Sequence, residues 1–314
     1  MEDVLLSVVV PAYNHEEYIA KAIQSILMQE VNFPYEVLVG ADLSTDNTHG
    51  VLREMAKTLP DYFHIFHRET SLKMHGNFED LYSRTLGKYV IMLEGDDYWT
   101  YPYKLQRQVD FLETHPEYTG IAHNTQVVDR KGVPIPDEHY PECTDSEFTL
   151  KHYRQGLFPG HTATLLHRNY HTQNIFPSHV EFVPYAPDKL RVFILAANGK
   201  IRCIQEKWSI YRYVTSDSTS WTAQFKDDED FKKRTVLYQK SLYDYSCNQI
   251  KTKESIRVSG QMYFQIYFRR CIGKNKLFRL RDFWGSFWKA PYKLDICKYI
   301  VEKGFLRITK RRHG

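Results

Sequence analysis

Apolar and polar residues alternate along the first 115 residues in a pattern that predicts four strands, each followed by a helix. Short β-rich runs end at turn residues, as LSVVVPAYN does at Pro11. Between the runs, apolar residues recur at helical spacing, as Ile19, Ile23, Ile26 and Leu27 do. The other predicted strands are YEVLVGA, FHIFHR and YVIML, and the other predicted helices are GVLREMAKTL, GNFEDLYSRTL and PYKLQRQVDFLETH. This order indicates an α/β fold with a mainly parallel sheet and helices on both faces.

The pattern is looser after residue 116. Residues 130–147 are rich in proline and acidic residues, a composition that predicts a flexible loop. DKLRVFILAANGK reads as a helix that Gly199 ends, and IRCIQEKWSIYRY follows as strand-like segments. From about residue 222 the chain reads as mainly helical. We therefore predict an α/β domain over residues 1–221 and a helical C-terminal region over residues 222–314.

Composition is that of an ordinary globular protein. The 314 residues are 42% hydrophobic, enough for a substantial core. There is no apolar run of 18 residues, so no membrane-spanning helix is expected, and MEDVLLSVVV does not resemble a signal peptide. The five cysteines are scattered without CxxC spacing, as expected for reduced thiols in a cytoplasmic protein.

Charge is distributed unevenly along the chain. Residues 1–250 contain 25 Lys and Arg against 34 Asp and Glu, whereas residues 251–314 contain 17 against 4. The basic tail is also rich in Phe, Tyr and Trp. Basic residues interleaved with aromatic ones suit an anionic membrane surface, and we expect no nucleic-acid partner. A solvated helical appendage or an oligomer contact is the alternative, and the oligomeric state is left open. The predicted location is the cytoplasm, at the inner face of the plasma membrane.

Polar residues gather in three loops that follow predicted strands: PAYNHEE, GADLSTDNT and EGDDYW. Parallel sheets bind their ligands where loops leave the carboxyl ends of the strands. The first strand is not followed by GxGxxG, and the chain contains no GxxxxGK[ST]. The usual dinucleotide fingerprint and the phosphate-binding P-loop are therefore both disfavoured.

Three carboxylates crowd behind the fourth strand, in YVIMLEGDDYWT. Glu94, Asp96 and Asp97 repel one another there unless a cation lies between them. Mg²⁺ and Mn²⁺ prefer oxygen ligands and are often held by one or two carboxylates together with phosphates. The pattern therefore predicts a metal site, with an acidic turn as the alternative, in which Asp97 caps the next helix.

Four segments together resemble family 2 glycosyltransferases of the GT-A fold. They are SVVVPAYNHEEYIAKAIQSILMQ, YEVLVGADLSTDNT, GKYVIMLEGDDYWTYPYKLQRQVDFLE and DKLRVFILAANGKI. The resemblance covers roughly residues 5–213 in the same order and spacing. It is nearest to bacterial enzymes that build capsule, lipopolysaccharide or exopolysaccharide. It implies a nucleotide-sugar donor, usually UDP-linked, a divalent metal (Mn²⁺ or Mg²⁺) and inversion at the anomeric carbon.

The resemblance also implies a nucleotide pocket. Pro11, Ala12 and Tyr13 match residues that line it, and Asp42 matches the carboxylate that meets the uracil edge. Ala41 replaces the acidic residue that usually precedes it. The residues themselves leave alternatives open, since Asp42 also suits a turn and Tyr13 also suits packing.

Further roles follow from the same resemblance. Glu94-Gly95-Asp96 matches the D-x-D motif, which makes Glu94 and Asp96 the expected ligands of the metal and contacts of the donor. Asn77 lies where the family contacts the donor. Asp188 matches the catalytic base, and the alternative is the N-cap of a helix starting near Lys189.

The acceptor side is less well marked. His161, Thr162 and Asp97 are the candidates, and a structural hydrogen bond is the alternative for His161. Family members often have YRxH after the helix that carries the base, with the His near the metal or the diphosphate. Val214 stands at that position here, so another ligand is required or the metal rests on Glu94 and Asp96.

The predicted function is that of an inverting, metal-dependent glycosyltransferase of the hexosyltransferase type. It would act on a glycan or lipid-linked acceptor in cell-surface polysaccharide synthesis. A nucleotide-sugar-binding scaffold that has lost catalysis is the first alternative, because of Ala41 and Val214. Nucleotidyl transfer is the second, but it needs a Gly- and Lys/Arg-rich loop where this chain has the acidic PAYNHEEY.

Overall fold

The computed structural model describes residues 4–136, 144–170, 187–213, 229–272 and 278–310. The strands are β1 (Leu6–Ala12), β2 (Tyr35–Ala41), β3 (Phe63–His67), β4 (Tyr89–Met92), β5 (Tyr98–Trp99), β6 (Tyr118–Val128), β7 (Glu147–Phe148), β8 (Leu166–Arg168) and β9 (Lys200–Arg212). The helices of the same region are α1 (Ile19–Leu27), α2 (Thr48–Ala56), α3 (Lys73–Ser83), α4 (Lys104–Thr114), α5 (Leu150–Gln155) and α6 (Pro187–Asn198), with a 3₁₀ turn at Thr162–Thr164.

All nine strands belong to one sheet in the order β3-β2-β1-β4-β8-β6-β9-β5, and β7 also pairs with β9. The strands from β3 to β4 are parallel to one another, with Val8 opposite Val37 and Ile91. β8 then runs antiparallel to both β4 and β6, while β6 and β9 are parallel. The sheet is therefore mixed, and its wholly parallel part is the half that the alternating pattern predicts.

Helices cover both faces of the parallel half, as predicted. On one face, Ile23 of α1 and Val109 of α4 belong to a core that contains Val10 and Val39. On the other face, α3 contributes Phe78, Leu81 and Tyr82 to a second cluster with Val9, Leu38, Val90 and Met92. Successive strand residues point to opposite faces, so both clusters draw on the same strands.

The described residues divide into two compact units. The first contains residues 4–136, 144–170 and 191–213, and the second contains residues 187–190, 229–272 and 278–310. The predicted domain boundary between residues 221 and 222 lies outside the described residues and stays a prediction. Only the first unit contains strands among the residues described.

The second unit has its own hydrophobic core. Its helices are α7 (Glu229–Tyr245), continued by a π-helical turn at Ser246–Ile250, then α8 (Lys253–Ile272), α9 (Leu280–Phe287) and α10 (Lys293–Lys310). The core includes Tyr243 of α7, Phe264 of α8, Phe283 and Phe287 of α9 and Ile296 of α10. The predicted helical C-terminal region thus packs as a bundle. None of the helices within the described ranges is long and apolar enough to cross a membrane.

Candidate active site

The loops that follow β1 and β2 are tied to each other by hydrogen bonds. Asp46 accepts one from the N–H of Glu16 at 3.0 Å and another from the N–H of Thr48 at 3.0 Å. Asn14 accepts one from the N–H of Thr45 at 2.8 Å. Burial opposes ionisation of Asp46, but these bonds and that of the Thr48 hydroxyl hold the pKa of its carboxyl below the ordinary value. The two loops therefore form one structure at the C-terminal edge of the sheet.

Asp42 lies at the C-terminal end of β2 and anchors the segment that leads into α3. Its side chain is buried. Its Oδ1 accepts hydrogen bonds from the N–H groups of Leu43 and Leu72, at 3.0 and 2.9 Å, and its Oδ2 accepts one from the Ser71 hydroxyl at 3.0 Å. Asp42 thus has the turn-stabilising role given above as its alternative. Its contact with a uracil edge stays a prediction.

The other predicted donor-binding residues lie at the same edge. Pro11 and Ala12 are the last residues of β1, and Tyr13, which follows them, is 39% exposed. The Tyr13 ring is therefore partly exposed, which is compatible with both stacking on a base and partial packing. Asn77 of α3 donates through Nδ2 to the carbonyl of Gly40 at 2.8 Å, and its buried Oδ1 has no hydrogen-bond partner among the described residues. Contact of these residues with a nucleotide stays a prediction.

Glu94, Asp97 and His161 form a cluster just beyond the end of β4. One ligand atom from each lies within 4.8 Å of the others, and Asp97 Oδ2 is 3.6 Å from His161 Nδ1. Asp97 Oδ1 accepts a hydrogen bond from the N–H of Arg212 at 2.9 Å. Glu94 Oε2 and Asp97 Oδ2 are buried, and neither has a hydrogen-bond partner among the residues that the structure describes.

Both carboxyls of this cluster ionise with difficulty. Burial and the charge of Asp96 raise the pKa of Glu94 to about 7, against the opposing effects of the Thr162 hydroxyl and the charge of Arg191. Burial and the charges of Asp96 and Glu94 raise the pKa of Asp97 well above its ordinary value. A divalent cation would favour the ionised form of both, because it offsets their negative charges and coordinates the unpaired oxygens.

His161 is held as a neutral imidazole. Burial lowers its pKa to about 3, and its ring stacks on Tyr211 with the centroids 4.0 Å apart. Its Nδ1 accepts a long hydrogen bond of 3.4 Å from the N–H of Ala163 and lies 3.6 Å from Asp97 Oδ2. The neutral form is the one that binds metal ions.

The donor set of the cluster fits a divalent metal. Two carboxylate oxygens and one imidazole nitrogen are ligands that Mn²⁺ accepts, and the buried unpaired oxygens of Glu94 and Asp97 are the atoms that a cation would satisfy. The cluster differs from the predicted pair, because it joins Glu94 to Asp97 and His161. The predicted acceptor-side residues Asp97 and His161 are thus candidate metal ligands.

Asp96 points to a different neighbour. Its Oδ2 lies 3.9 Å from Nε2 of His15, and its side chain is 30% exposed. Its charge acts on both Glu94 and Asp97, so it lies close to the cluster, and its role as a metal ligand stays a prediction. The alternative role predicted for Asp97, that of capping the next helix, is wrong. Its carboxylate binds the amide of Arg212, and the next helix begins only at Lys104.

Gly95, between the two acidic positions, leaves room for the loop after β1. A Cβ at this position would lie 2.6 Å from Nδ1 of His15 and 2.9 Å from Cδ1 of Ile19. Its N–H donates to the carbonyl of Pro11 at 3.1 Å. The close approach explains why the middle residue of Glu-Gly-Asp has no side chain.

Buried side chains stabilise the turn Thr162–Thr164, which follows His161, through hydrogen bonds to its carbonyl groups. Trp99 donates through Nε1 to the carbonyl of Ala163 at 2.9 Å. Gln108 donates through Nε2 to the carbonyls of Thr164 and Ile121, each at 2.9 Å. Neither residue is among those predicted from the sequence, although a glutamine on the apolar face of a helix is a signal that a polar group is buried opposite.

Lys104 completes this support. It is fully buried, its Nζ donates to Gln108 Oε1 at 2.8 Å, and it lies 4.1 Å from the centroid of the Trp99 ring. Burial lowers its pKa well below the ordinary value. Lys104 therefore orients Gln108 from within the core.

Two arginines, also missed, flank the carboxylates. Arg212 is buried, and its Nε donates to the carbonyl of Asp96 at 3.2 Å while its guanidinium lies 4.4 Å from the centroid of the Tyr18 ring. Arg191 is buried over the rings of Phe78 and Tyr82, at 4.7 and 5.0 Å, and its charge lowers the pKa of Glu94. Both lie in segments that resemble the family, Arg191 in DKLRVFILAANGKI and Arg212 at the Arg of YRxH, but neither was predicted as a site residue.

The remaining predicted residues are only partly described. Asp188 lies in the first turn of α6, one helical turn before Arg191. Because α6 begins at Pro187, Asp188 is inside the helix and not at its N-cap, and its role as base stays a prediction. Thr162 lies in the 3₁₀ turn and its hydroxyl bonds Glu94. Val214 lies outside the described residues.

Comparison with known proteins gives the same family as the motifs. The family model described as glycosyl transferase family 2 matches residues 7–173, more than half of the chain. Rv1520, an uncharacterized protein of Mycobacterium tuberculosis, is 38% identical over 152 residues, which are 48% of this chain and 41% of that protein. The chain thus matches about two fifths of the length of this relative.

A second relative and a solved structure extend the comparison. TuaG of Bacillus subtilis, a putative teichuronic acid biosynthesis glycosyltransferase, is 28% identical over 151 residues, 47% of this chain and 57% of TuaG. Residues 1–349 of S. aureus TarS, solved in complex with UDP-GlcNAc, superpose with a TM-score of 0.61 at 19% identity, over 92% of this chain and 77% of that one. This likeness confirms the predicted fold. The chain belongs to glycosyl transferase family 2.

Proposed function

We propose that the protein is an inverting, metal-dependent glycosyltransferase that moves a sugar from a UDP-sugar to a hydroxyl of a glycan or lipid-linked acceptor. The observation that carries the proposal is the cluster of Glu94, Asp97 and His161. Its buried, unpaired oxygens lie at the ligand-binding edge of a family 2 fold. Transfer from a nucleotide sugar leaves a diphosphate, whose charge needs a cation at such an edge.

Two of the comparisons support the donor and the product class. TarS was solved in complex with UDP-GlcNAc, which supports a UDP-linked donor here. The name of TuaG supports cell-surface polysaccharide synthesis. The proposal includes a cytoplasmic location at the inner face of the plasma membrane, where lipid-linked acceptors are held.

Each residue would have one task. Glu94, Asp97 and His161 would hold Mn²⁺ or Mg²⁺, which when bound would offset the charge of the leaving diphosphate. Asp188 would take the proton from the acceptor hydroxyl while that oxygen attacks the anomeric carbon from the face opposite the diphosphate. A single displacement of this kind inverts the configuration of the anomeric carbon.

The experiment is an assay of UDP release from a small panel of UDP-sugars, with and without Mn²⁺ or Mg²⁺ and an acceptor extract. We expect release from one or two donors, loss of release in EDTA, and recovery when metal is added back. Release that EDTA leaves unchanged would refute the metal dependence.

Two variants separate catalysis from binding. Asp188→Asn should abolish transfer while calorimetry still detects UDP-sugar binding, since the carboxylate acts on the acceptor proton. Asp61→Asn, an exposed residue, is the matched control and should be fully active. A wild-type protein that binds UDP-sugars but never releases UDP with any acceptor would instead be the catalytically inactive scaffold.

A further inference from the structure

Helix α9 of the second unit has one face buried in the bundle and another exposed to solvent. Phe283 and Phe287 belong to the core, whereas Leu280, Trp284 and Trp288 are 42%, 40% and 62% exposed. The exposed residues follow one another at intervals of four, which places them in a single stripe along the helix. We call this stripe of Leu280, Trp284 and Trp288 the tryptophan face.

The exposure of these rings is unusual for this chain. Trp99 and Trp208, the other tryptophans within the described residues, are both buried. Trp284 and Trp288 instead lie beside each other in solvent, with ring centroids 6.0 Å apart. Just beyond them, at the start of α10, Leu294 is 76% exposed. A contiguous apolar stripe on a soluble surface marks an interaction site.

Basic side chains border the tryptophan face. Arg281 and Lys289 are exposed and each follows a residue of the stripe by one position, with the exposed Asp282 between them in the chain. Lys293 donates to the carbonyl of Trp288 at 3.2 Å, and its Nζ is 5.6 Å from the centroid of that ring. The face therefore combines aromatic rings with positive charge, within a tail that holds 17 basic and 4 acidic residues.

We propose that the tryptophan face docks the protein on an anionic lipid bilayer. Tryptophan rings partition to the level of the lipid head groups, and Lys and Arg side chains near an anionic surface are attracted to it. The docking is interfacial, because none of the described helices can span a bilayer. The inference stands on the second unit alone and does not depend on the proposed reaction.

The charges argue against a second copy of the chain as the occupant. A symmetric dimer through the tryptophan face would bring Arg281 and Lys289 of both copies together, and like charges across an interface repel. A bilayer that contains anionic lipid instead complements these charges. The two occupants predict different oligomeric states in the absence of lipid. The protein should be monomeric if the bilayer is the partner and dimeric if a second copy is.

The test is co-sedimentation of the full chain with vesicles of phosphatidylcholine alone or mixed equally with phosphatidylglycerol. We expect wild type to bind the mixed vesicles, with a blue shift of tryptophan emission and weaker binding in 0.5 M NaCl. Trp284→Ser/Trp288→Ser should weaken binding at least about tenfold and remove the shift. Arg281→Glu/Lys289→Glu should abolish binding to the mixed vesicles.

The control is Leu86→Ser, which removes an apolar side chain that is 69% exposed in the first unit, and it should bind like wild type. Circular dichroism and thermal melting of every variant exclude misfolding as the cause of a loss. Equal sedimentation of wild type and both double variants would overturn the proposal. So would light scattering that shows a wild-type dimer which Trp284→Ser/Trp288→Ser dissociates, since the occupant would then be a second copy.

Discussion

Asp96 and Asp97 are adjacent in the chain, but their side chains have different surroundings. Asp97 is buried against His161 and the amide of Arg212, whereas Asp96 is partly exposed and lies near His15. The D-x-D motif is recognised from the spacing of its acidic residues alone, and it makes Asp96 the expected metal ligand. Burial and unpaired oxygen atoms, which spacing does not show, favour Asp97.

The metal site can be tested by comparing the two positions. Asp97→Asn and His161→Ala should each weaken Mn²⁺ binding by at least about tenfold, because each removes a ligand atom. Asp96→Asn should have the smaller effect in the absence of nucleotide. Calorimetric titration with Mn²⁺ measures all three, with Asp61→Asn as the control. A strong loss in Asp96→Asn beside normal binding in Asp97→Asn would favour the D-x-D assignment.

Metal binding should also depend on pH near neutrality. The pKa of Glu94 is raised to about 7 in the metal-free protein, and a metal binds the ionised form. Mn²⁺ affinity should therefore rise at least about tenfold between pH 6 and pH 8, with release of protons on binding. Titrations in two buffers of different ionisation enthalpy measure both quantities. An affinity that is constant over this range would contradict the prediction.

The raised pKa of Glu94 also predicts how the stability of the protein changes with pH. A carboxyl whose pKa is higher in the folded state holds its proton in the folded protein over the range where the unfolded chain has lost it. In EDTA, the contribution of Glu94 to stability therefore declines as pH rises from about 4.5 to about 7. The decline should be smaller in Glu94→Gln, because only the contribution of Asp97 remains, and Mn²⁺ should offset it in wild type.

At the scale of elements, sequence periodicity explains the first half of the sheet and not the second. Strands β1 to β4 and their helices are long enough to show the spacing of apolar residues that is typical of a strand (every 2 residues) or a helix (every 3.6 residues). β5, β7 and β8 have two or three residues each, too few for any period. β8 is nevertheless the strand that connects β4 to β6, and the turn before it brings His161 to Asp97 across 64 positions of the chain.

The support beneath that turn gives an element-scale prediction. Gln108→Leu leaves the carbonyls of Ile121 and Thr164 and the amine of Lys104 without their partner, at about 1–3 kcal/mol for each buried group. It should lower the free energy of unfolding and also weaken Mn²⁺ binding, because His161 shifts with the turn. Asp110→Leu, at an exposed position of the same helix, should do neither. Denaturant titration and calorimetry measure the two effects.

At the scale of the whole molecule, each of the two units has its own hydrophobic core. The sequence predicts a helical, basic C-terminal region, because charge and aromatic content are visible without a structure. It does not predict that this region packs as a bundle, since that depends on contacts such as those of Gly260. A Cβ there would lie 2.9 Å from Ile296 and 3.1 Å from the Tyr243 ring.

Separate cores imply separate responses to substitution. Phe264→Ala removes a central ring of the second unit and should cost about 3–5 kcal/mol of its stability. Mn²⁺ affinity of the cluster in the first unit should be unchanged. Calorimetric melting should show one transition lowered and another retained. Loss of Mn²⁺ binding under conditions where only the second unit has melted would contradict this independence.

The hydrogen bond from Arg212 to Asp97 comes from the main chain, and this has a consequence for genetics. Every amino acid except proline carries that N–H, so the orientation of the Asp97 carboxylate does not depend on which side chain stands at position 212. In a saturation library, substitutions at position 212 report only on the guanidinium contacts. Covariation between positions 97 and 212 among related chains should therefore reflect only the charge of the guanidinium, which favours the ionised form of Asp97.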